Sequence, residues 1–308
     1  MADSDKAVYA AIAGNVAVAA VKFVAAALSG SSAMMAEAFH SVVDTGNDGL
    51  LVLGRHRSRR PPDVEHPMGH GQELYFWSFI VGILIFAVGA GFSIFEGISR
   101  VLHPGRLEDP TWNYVVLGFA ALFEGSSLMV GYREFRKEAR GRSSWRTLRE
   151  SKDPPTFSVV LEDTAALAGI ALAFGGIWLA HRFSQPVFDG AASIGIGCVL
   201  AIVSILLIRE SRGLLIGETM GREAVEYIRR IAQECEGVAA VNRPLTLYFG
   251  PEFILLALEV EFSPDLNGNE IPTTVHQIEE AVRRKYPKIR RIYIEAEALN
   301  RSGAASRQ

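Results

Sequence analysis

SAMMAEAFHSVVDTGNDGLLVL, residues 32–53, is long enough to cross a lipid bilayer and is apolar at both ends. Its middle nevertheless carries Glu37, His40, Asp44, Asn47 and Asp48. Ionisable groups at membrane depth cost free energy, so they are usually kept only where they face a protein interior, a cavity or a bound ion. The stretch therefore predicts a membrane helix built around a polar site.

His40 and Asp44 are four residues apart, so on a helix their side chains lie on one face, and Asn47 continues that face. A neutral imidazole and a carboxylate at this spacing supply half of a tetrahedral site for a divalent metal such as zinc. The alternative is a buried polar cluster that only packs helices together. We favour the metal site, because a purely structural cluster has to offset two desolvated groups.

Further apolar runs flank this stretch, and six runs in all reach the length of about 20 residues that spans a bilayer. They predict a six-helix transmembrane domain over residues 1–210. The third run has no ionisable group, which predicts that its helix lies nearer the lipid. The first run is too long for a signal peptide and predicts a retained helix. The six runs are Val8–Leu28, Ser32–Leu53, Leu74–Phe95, Trp112–Val130, Phe157–Leu179 and Val187–Ile208.

The basic residues of the connections predict the orientation of this bundle. They are concentrated after the second and fourth runs, whereas the connections on the opposite side hold only Arg100, Arg106 and Arg182. Positive charge marks the cytoplasmic side, so both termini are predicted to be cytoplasmic. The concentrated residues are Arg55, Arg57, Arg59 and Arg60 after the second run, then Arg133, Arg136, Lys137, Arg140, Arg142, Arg146, Arg149 and Lys152 after the fourth.

Residues 211–300 have the composition of a soluble domain. Amphipathic helices are predicted over Glu223–Glu234 and Ile271–Tyr286, and strands over Val238–Phe249, Phe253–Phe262 and Ile289–Glu295. The resulting order, αββαβ, predicts a small α+β, ferredoxin-like sandwich on the cytoplasmic side. Residues 301–308 are predicted to be a disordered tail.

Composition excludes several classes of protein. With 31 Lys and Arg, 34 Asp and Glu and a net charge of −3, the chain lacks the basic footprint of a nucleic-acid-binding protein. The mean hydropathy of +0.19 fits a chain that is part membrane and part soluble. Cys198 and Cys235 are far apart in sequence and imply no disulfide framework.

No HExxH or comparable hydrolase motif occurs in the sequence. An intramembrane metalloenzyme is therefore only an alternative, and no enzyme is predicted.

The fifth run supplies the other half of the predicted metal site. Asp163 is the natural partner of His40 and Asp44, and Glu162 precedes it. The position four residues before Asp163 is Val159, which cannot bind metal, and the longer Glu162 side chain can swing into the place of a ligand there. Asn47 or a water molecule is the alternative fourth ligand. Glu162 has a second interpretation, as the ion-pair partner of Lys22 or another buried cation.

A second candidate metal site lies in the connection before the third run. Asp63, His66 and His70 place oxygen and nitrogen donors three and four residues apart in a loop rich in Gly and Pro. The alternative is a hydrogen-bonded loop in which the histidines cap helices. The other histidines, His56, His103, His181 and His276, are isolated and are interpreted as surface or structural residues.

These motifs together resemble the cation diffusion facilitator family, six-helix transporters of divalent metals with a cytoplasmic domain. The resemblance covers about Ala7 to Ala298 and rests on HSVVD, HPMGH, LED, DGAASIGIG and LLIGE, in this order along the chain. It implies that His40, Asp44 and Asp163 hold the transported ion, and that Asp63, His66 and His70 form the loop site of the family. It also implies that the αββαβ domain forms a homodimer.

The chain departs from the family pattern at two places. Val159 stands where the fifth helix usually has His, and the sequence is similar to a divergent branch that also reads LEDTA there. The soluble domain lacks the histidine-rich positions that hold metal between protomers in many members, so metal regulation through this domain is not predicted.

The combined prediction is a homodimeric transporter in a bacterial inner membrane that exports a divalent cation in exchange for protons. Zinc is the first choice of ion, because imidazole with carboxylates suits it, and no resident cofactor is predicted. Replacement of imidazole by oxygen ligands shifts the preference toward manganese, iron or cobalt. A transport-inactive metal sensor or scaffold is the remaining alternative.

Overall fold

A computed structural model describes residues 2–105, 109–139 and 154–297, with side chains from residue 14 and outside 134–139, 154–156 and 297. The predicted tail 301–308 lies outside the described residues, as do Arg106 and most of the basic connection after the fourth run. The chain divides into two compact units. The first comprises Met1–Arg57 and Glu73–Arg212, and the second comprises Ser58–Gln72 and Gly213–Gln308.

Long helices occur at each of the six predicted runs. They are α1 (Ala2–Ser29), α2 (Ser32–Ser58), α3 (Glu73–Leu102), α4 (Thr111–Ala139), α5 (Pro154–Phe183) and α6 (Val187–Ile216). Of the described residues, four helices are long and apolar enough to cross a membrane: α3, α4, α5 and α6. The apolar described part of α1, Gly14–Ser29, is shorter, and α2 carries three carboxylates in its membrane-length stretch. The helical membrane fold is therefore confirmed.

Small residues set the packing of the helices. Gly30 adopts φ +62° between α1 and α2, a left-handed conformation that glycine reaches without strain, and this allows the short turn between them. Gly97 of α3 and Gly190 of α6 face each other so closely that a Cβ on Gly190 would lie 2.9 Å from the Gly97 carbonyl oxygen. Small residues let helix backbones approach in this way within a membrane.

The third helix has two different faces. Its glycine face packs on α6, whereas Phe86, Phe95 and Leu102 are exposed on its outer side. Exposed apolar side chains of this size fit a lipid-facing surface, which remains our prediction for this helix. A π-helical turn, Ile85–Ala90, interrupts the α-helical pattern in its middle.

The second unit contains the predicted α+β domain. Its elements are α7 (Arg222–Gln233), β1 (Val238–Val241), β2 (Leu245–Gly250), β3 (Phe253–Phe262), α8 (Ile271–Lys285) and β4 (Ile289–Glu297). β1 and β2 pair with β3 in antiparallel fashion, and β4 pairs with it in parallel. α7 and α8 pack on one face of the sheet, where Ile228, Leu256, Leu258, Ile278 and Val282 are buried.

The predicted strand Val238–Phe249 is wrong in one respect, because it is interrupted at residues 242–244. Pro244 has no backbone N–H to donate and so breaks the ladder. β4 occupies one edge of β3 along residues 254–261, so β1 and β2 must follow each other along the other edge. The two segments therefore form one interrupted arm of a hairpin, and the αββαβ order is retained.

Candidate metal sites

A cavity of about 530 Å³ lies in the first unit between α1, α2, α4 and α5. Nine of its fourteen lining residues are polar or ionisable. The residues that line it are Asn15, Val18, Ser41, Asp44, Asp48, Phe123, Glu124, Ser126, Ser127, Val130, Gly131, Val159, Glu162 and Asp163.

Carboxylates dominate the chemistry of this cavity. α2 contributes Asp44 and Asp48, α4 contributes Glu124, and α5 contributes Glu162 and Asp163. Asp44 and Asp48 are one helical turn apart and therefore share the cavity face of α2. Like charges that line one cavity repel one another, and a bound cation or protons would offset this repulsion. Oxygen-rich sites of this kind suit divalent cations.

His40 lies at the edge of this carboxylate group. Its Nδ1 is 3.2 Å from Asp44 Oδ2, which is the predicted pairing of one helical turn. The side chain is buried, and its Nε2 has no hydrogen-bond partner. His40 does not itself line the cavity, so Asp44 stands between the imidazole and the open space.

Several other buried polar atoms around the cavity also lack partners. They include Asp44 Oδ1, Glu162 Oε1 and Asp163 Oδ2. Asn47 is fully buried next to Glu162. Buried polar atoms are normally hydrogen-bonded, so a group of unpartnered ones around one cavity indicates a place for a ligand. Their chemistry, mostly carboxylate oxygen with one imidazole nitrogen, fits a divalent metal ion.

The structure does not draw these ligands into a closed coordination sphere. Among the described residues, no three of His40, Asp44, Glu162 and Asp163 bring their ligand atoms within 4.8 Å of one another. Asp44, Asp48 and Asp163 are still near enough to Glu162 to act on it electrostatically. The ligand atoms therefore have to move closer together before one ion contacts three of them.

Two neighbours of the site were missed by sequence reasoning as ligand candidates. Asp48 is held by a 3.0 Å hydrogen bond from Asn15 Nδ2, and Glu124 enters the cavity from α4. Both residues could have been identified as candidates from the sequence, because each is an ionisable group within an apolar run. No local sequence pattern predicts that α2 and α4 meet at one cavity.

The interpretation of Glu162 as the partner of Lys22 is wrong. Lys22 Nζ instead donates to Glu37 Oε2 at 3.1 Å and to Ser41 Oγ at 2.7 Å, whereas Glu162 faces the cavity. The reason is the alignment of α1 along α2, which brings Lys22 beside the second and third turns of α2 rather than beside the carboxylates of α5.

The predicted loop cluster lies in the second unit and is compact. Asp63, His66 and His70 each offer a ligand atom within 4.8 Å of the other two, and they are the one such group in the described part of the chain. His66 Nδ1 is 3.4 Å from Asp63 Oδ1, and His70 Nε2 is 3.5 Å from Asp63 Oδ2. Two imidazoles and a carboxylate at these distances match the ligand set of a zinc site with one open position.

Backbone hydrogen bonds shape this loop as well. The His66 N–H donates to Asp63 Oδ1 at 2.6 Å, and this bond, followed by the nearby imidazoles, lowers the pKa of Asp63. Gly69 adopts φ +81°, which turns the chain so that the His66 and His70 rings approach to 4.4 Å. The hydrogen-bonded loop and the ligand cluster therefore coexist, because the same turn makes both.

The remaining histidines lie outside these groups. His56, His103 and His276 are exposed. His181 is half-buried, with its Nδ1 2.9 Å from the carbonyl oxygen of Ile177. The described structure gives none of them a place in a metal cluster.

Comparison with known proteins places these features in context. Residues 8–216 match the family model described as the cation efflux transmembrane domain. The chain is 35% identical over 243 residues to the human protein named proton-coupled zinc antiporter SLC30A9, mitochondrial, an alignment that covers 78% of this chain and 43% of that protein. The chain thus spans less than half the length of the curated relatives that match it first.

Two further relatives cover more of their own length. Metal tolerance protein C4 of Arabidopsis thaliana is 31% identical over 264 residues, covering 84% of this chain and 57% of the relative. The manganese efflux system protein MneP of Bacillus subtilis is 24% identical over 292 residues, covering 94% and 95%.

Proposed function

The chain belongs to the cation efflux family of membrane proteins, and from this premise we propose that it exports a divalent metal cation, zinc first, in exchange for protons. The observation that carries the proposal is the cavity in the first unit, where unpartnered carboxylate oxygens surround an open space beside a buried imidazole. The family premise leaves no support for an intramembrane metalloenzyme.

Residue roles follow from the chemistry of the ligands. Asp44 and Asp163 bind the ion from α2 and α5, His40 supplies the nitrogen ligand, and Glu162 and Asn47 complete the set on the side where Val159 offers no donor. Metal needs a neutral imidazole and ionised carboxylates, so binding releases protons and protonation releases metal. His40 is the natural carrier of the exchanged proton, since small shifts move an imidazole across neutral pH.

Two observations favour zinc over the alternative ions. The imidazole of His40 suits zinc, and the human relative with 35% identity is named as a zinc antiporter. Manganese is the second candidate, because oxygens outnumber nitrogens in the cavity and the Bacillus subtilis relative is named for manganese efflux. Iron and cobalt fall under the same argument.

The loop cluster of Asp63, His66 and His70 is proposed as a second, non-transported metal site on the cytoplasmic side. We also propose that both termini are cytoplasmic, which the basic connections support, and that the protein lies in a bacterial inner membrane.

We further propose a homodimer formed through the second unit. Leu245 and Tyr293 both pair with Ala257, so they share the sheet face opposite the helices, and they are 64% and 53% exposed. A second copy is the occupant proposed for this face. Light scattering of the purified protein should give the mass of a dimer, and Leu245→Glu with Tyr293→Glu should give a monomer. A monomeric mass for the unmodified chain would exclude the homodimer.

The deciding experiment is ion flux into proteoliposomes of the purified protein under an imposed pH gradient. Zinc, manganese, cobalt and iron are tested in turn beside Glu162→Ala and a matched control, Glu96→Ala, whose carboxylate lies on α3 outside the cavity. Proton-coupled zinc flux that Glu162→Ala reduces and Glu96→Ala retains is the expected result. Preferential flux of another ion would move the assignment to that ion, and no flux for any of them would favour the sensor or scaffold.

A further inference from the structure

A buried ion pair in the first unit takes no part in the proposed ligand set. Lys22 of α1 and Glu37 of α2 are both 0% exposed, and Lys22 Nζ is 3.1 Å from Glu37 Oε2. Lys22 Nζ also donates to Ser41 Oγ at 2.7 Å. Charges at this depth are rare and usually mark the path of a substrate or ion.

The pair lies at one end of the carboxylate cavity. On α1, Asn15 and Val18 line the cavity, and Lys22 is one helical turn beyond them. On α2, Ser41 lines the cavity, and Glu37 is one turn beyond it toward the α1–α2 turn. Exposure falls in the same direction, since Asn15 and Val18 are half-buried whereas Lys22 and Glu37 are completely buried.

A third helix, α5, also contacts this ion pair. Gly169 of α5 lies against Glu37 so closely that a Cβ on this glycine would collide with Glu37 Oε1. That oxygen is buried and has no hydrogen-bond partner, although the other oxygen of the same carboxylate is paired with Lys22. The pair therefore spans the contact between α1, α2 and α5, with one carboxylate oxygen left unused.

We propose that Lys22, Glu37 and Ser41 form a gate that closes the end of the carboxylate cavity nearest the α1–α2 turn, and that opens for the ion to leave. The inference rests on the proposed transport function, because a gate serves only a protein that moves an ion. The closed pair blocks this end of the cavity, so it retains a divalent cation among the carboxylates. When α1 and α5 separate, the unused Glu37 oxygen is the first ligand available to the departing cation.

The competing explanation is that the pair only packs three helices together. A packing role predicts that loss of both charges alters stability but leaves the closed end closed, because neutral side chains of similar volume fill the same space. A gate predicts that the same change exposes the cavity from the side of the α1–α2 turn. The two explanations therefore differ in accessibility rather than in stability.

The test measures which side of the membrane reaches the cavity. A single cysteine is placed at the lining residue Val18, in a chain with Cys198→Ala and Cys235→Ala, and is labelled from each side by a membrane-impermeant maleimide. In the otherwise unmodified chain, labelling is expected from the cytoplasmic side. With Lys22→Met and Glu37→Gln together, labelling from the side of the α1–α2 turn should rise at least about fivefold, the lower range of a coupled conformational shift.

Two more variants make the result decisive. Ser93→Ala removes another buried polar group, on α3 and away from the cavity, and should leave the labelling pattern unchanged. Gly169→Ala keeps both charges but takes the space of Glu37 Oε1, so it should raise labelling from the same side even if the neutral double variant fails to fold. Unchanged labelling in the folded gate variants would overturn the gate and leave the packing role.

Labelling needs no transported ion, so this test is independent of the flux experiment. Absence of flux in the unmodified chain with altered labelling in the variants would reject the proposed transport while retaining the gate. Normal flux with unaltered labelling would reject only the gate.

Discussion

The membrane cavity and the loop cluster use similar ligands in opposite ways. In the loop, Asp63, His66 and His70 are already within 4.8 Å of one another, and two of the three are more than half exposed. In the cavity, His40 and Glu162 are buried and Asp44 and Asp163 are half-buried. Several of their atoms are unpartnered, and among the described residues no three of these four bring their ligand atoms so close. The ligand atoms of the loop are therefore already grouped closely enough for one ion, whereas those of the cavity are not.

The difference follows from what surrounds each region. Water screens the loop groups, so three ligands can lie together without an ion at little cost. Carboxylates in a low-dielectric cavity repel strongly, so they stay apart until a cation or protons neutralise them. A site that must release its ion benefits from the second arrangement, because binding and release then require movement of the helices.

The largest expected effect comes from removing a cavity carboxylate. Asp44→Ala should lower zinc flux in proteoliposomes by at least about 100-fold, because both the carboxylate and the orientation of His40 are lost. Asp109→Ala, which removes an exposed carboxylate before α4, is the matched control and should retain flux. Flux retained in Asp44→Ala would show that the cavity is not the transport site.

An intermediate effect is expected at the loop. His70→Ala should weaken zinc binding at this site by about 10- to 100-fold, measured by calorimetry, while flux falls much less than in Asp44→Ala. The exposed His276→Ala is the control and should bind like the unmodified chain. Equal losses of flux in His70→Ala and Asp44→Ala would contradict the separation of the two regions.

The pH dependence of the loop has a definite sign. Because the hydrogen bond from the His66 N–H lowers the pKa of Asp63, its carboxylate stays ionised, and able to bind metal, down to the ordinary aspartate pKa of about 3.9 and below it. The carboxylate should therefore contribute to metal binding throughout the range above that value, so Asp63→Asn should weaken zinc binding, measured by calorimetry, at pH 5 as well as at pH 7. Binding by Asp63→Asn equal to that of the unmodified chain would exclude this carboxylate as a ligand.

The smallest effect is expected from a substitution that adds an imidazole to the cavity, so that its ligand set becomes more like that of the loop. Val159→His adds an imidazole four residues before Asp163, on the cavity side of α5, and should raise the preference for zinc over manganese by about tenfold in competition flux. Val160→His, its neighbour outside the cavity lining, is the control. No change in preference in Val159→His would mean that the ion does not contact this part of α5.

Much of the fold could be read from local patterns. Apolar runs of spanning length predicted the six helices of the first unit, and alternation with turn signals predicted the helices and strands of the second. The pairing of His40 with Asp44 and the grouping of Asp63, His66 and His70 also follow from spacing alone, because partners three or four residues apart meet within one turn of helix or loop.

The sequence by itself determined which residues bring chemistry into the membrane, since an ionisable group in an apolar run is visible without any structure. Only the tertiary structure decided which of them meet: Glu124 joins the cavity from α4, and Lys22 pairs with Glu37 rather than Glu162. It also decided that Pro244 interrupts the first arm of the hairpin. The physical reason is that contacts between helices depend on their relative depth and rotation, which are set by close packing at small residues such as Gly97 and Gly169 and leave no periodic signal in the chain.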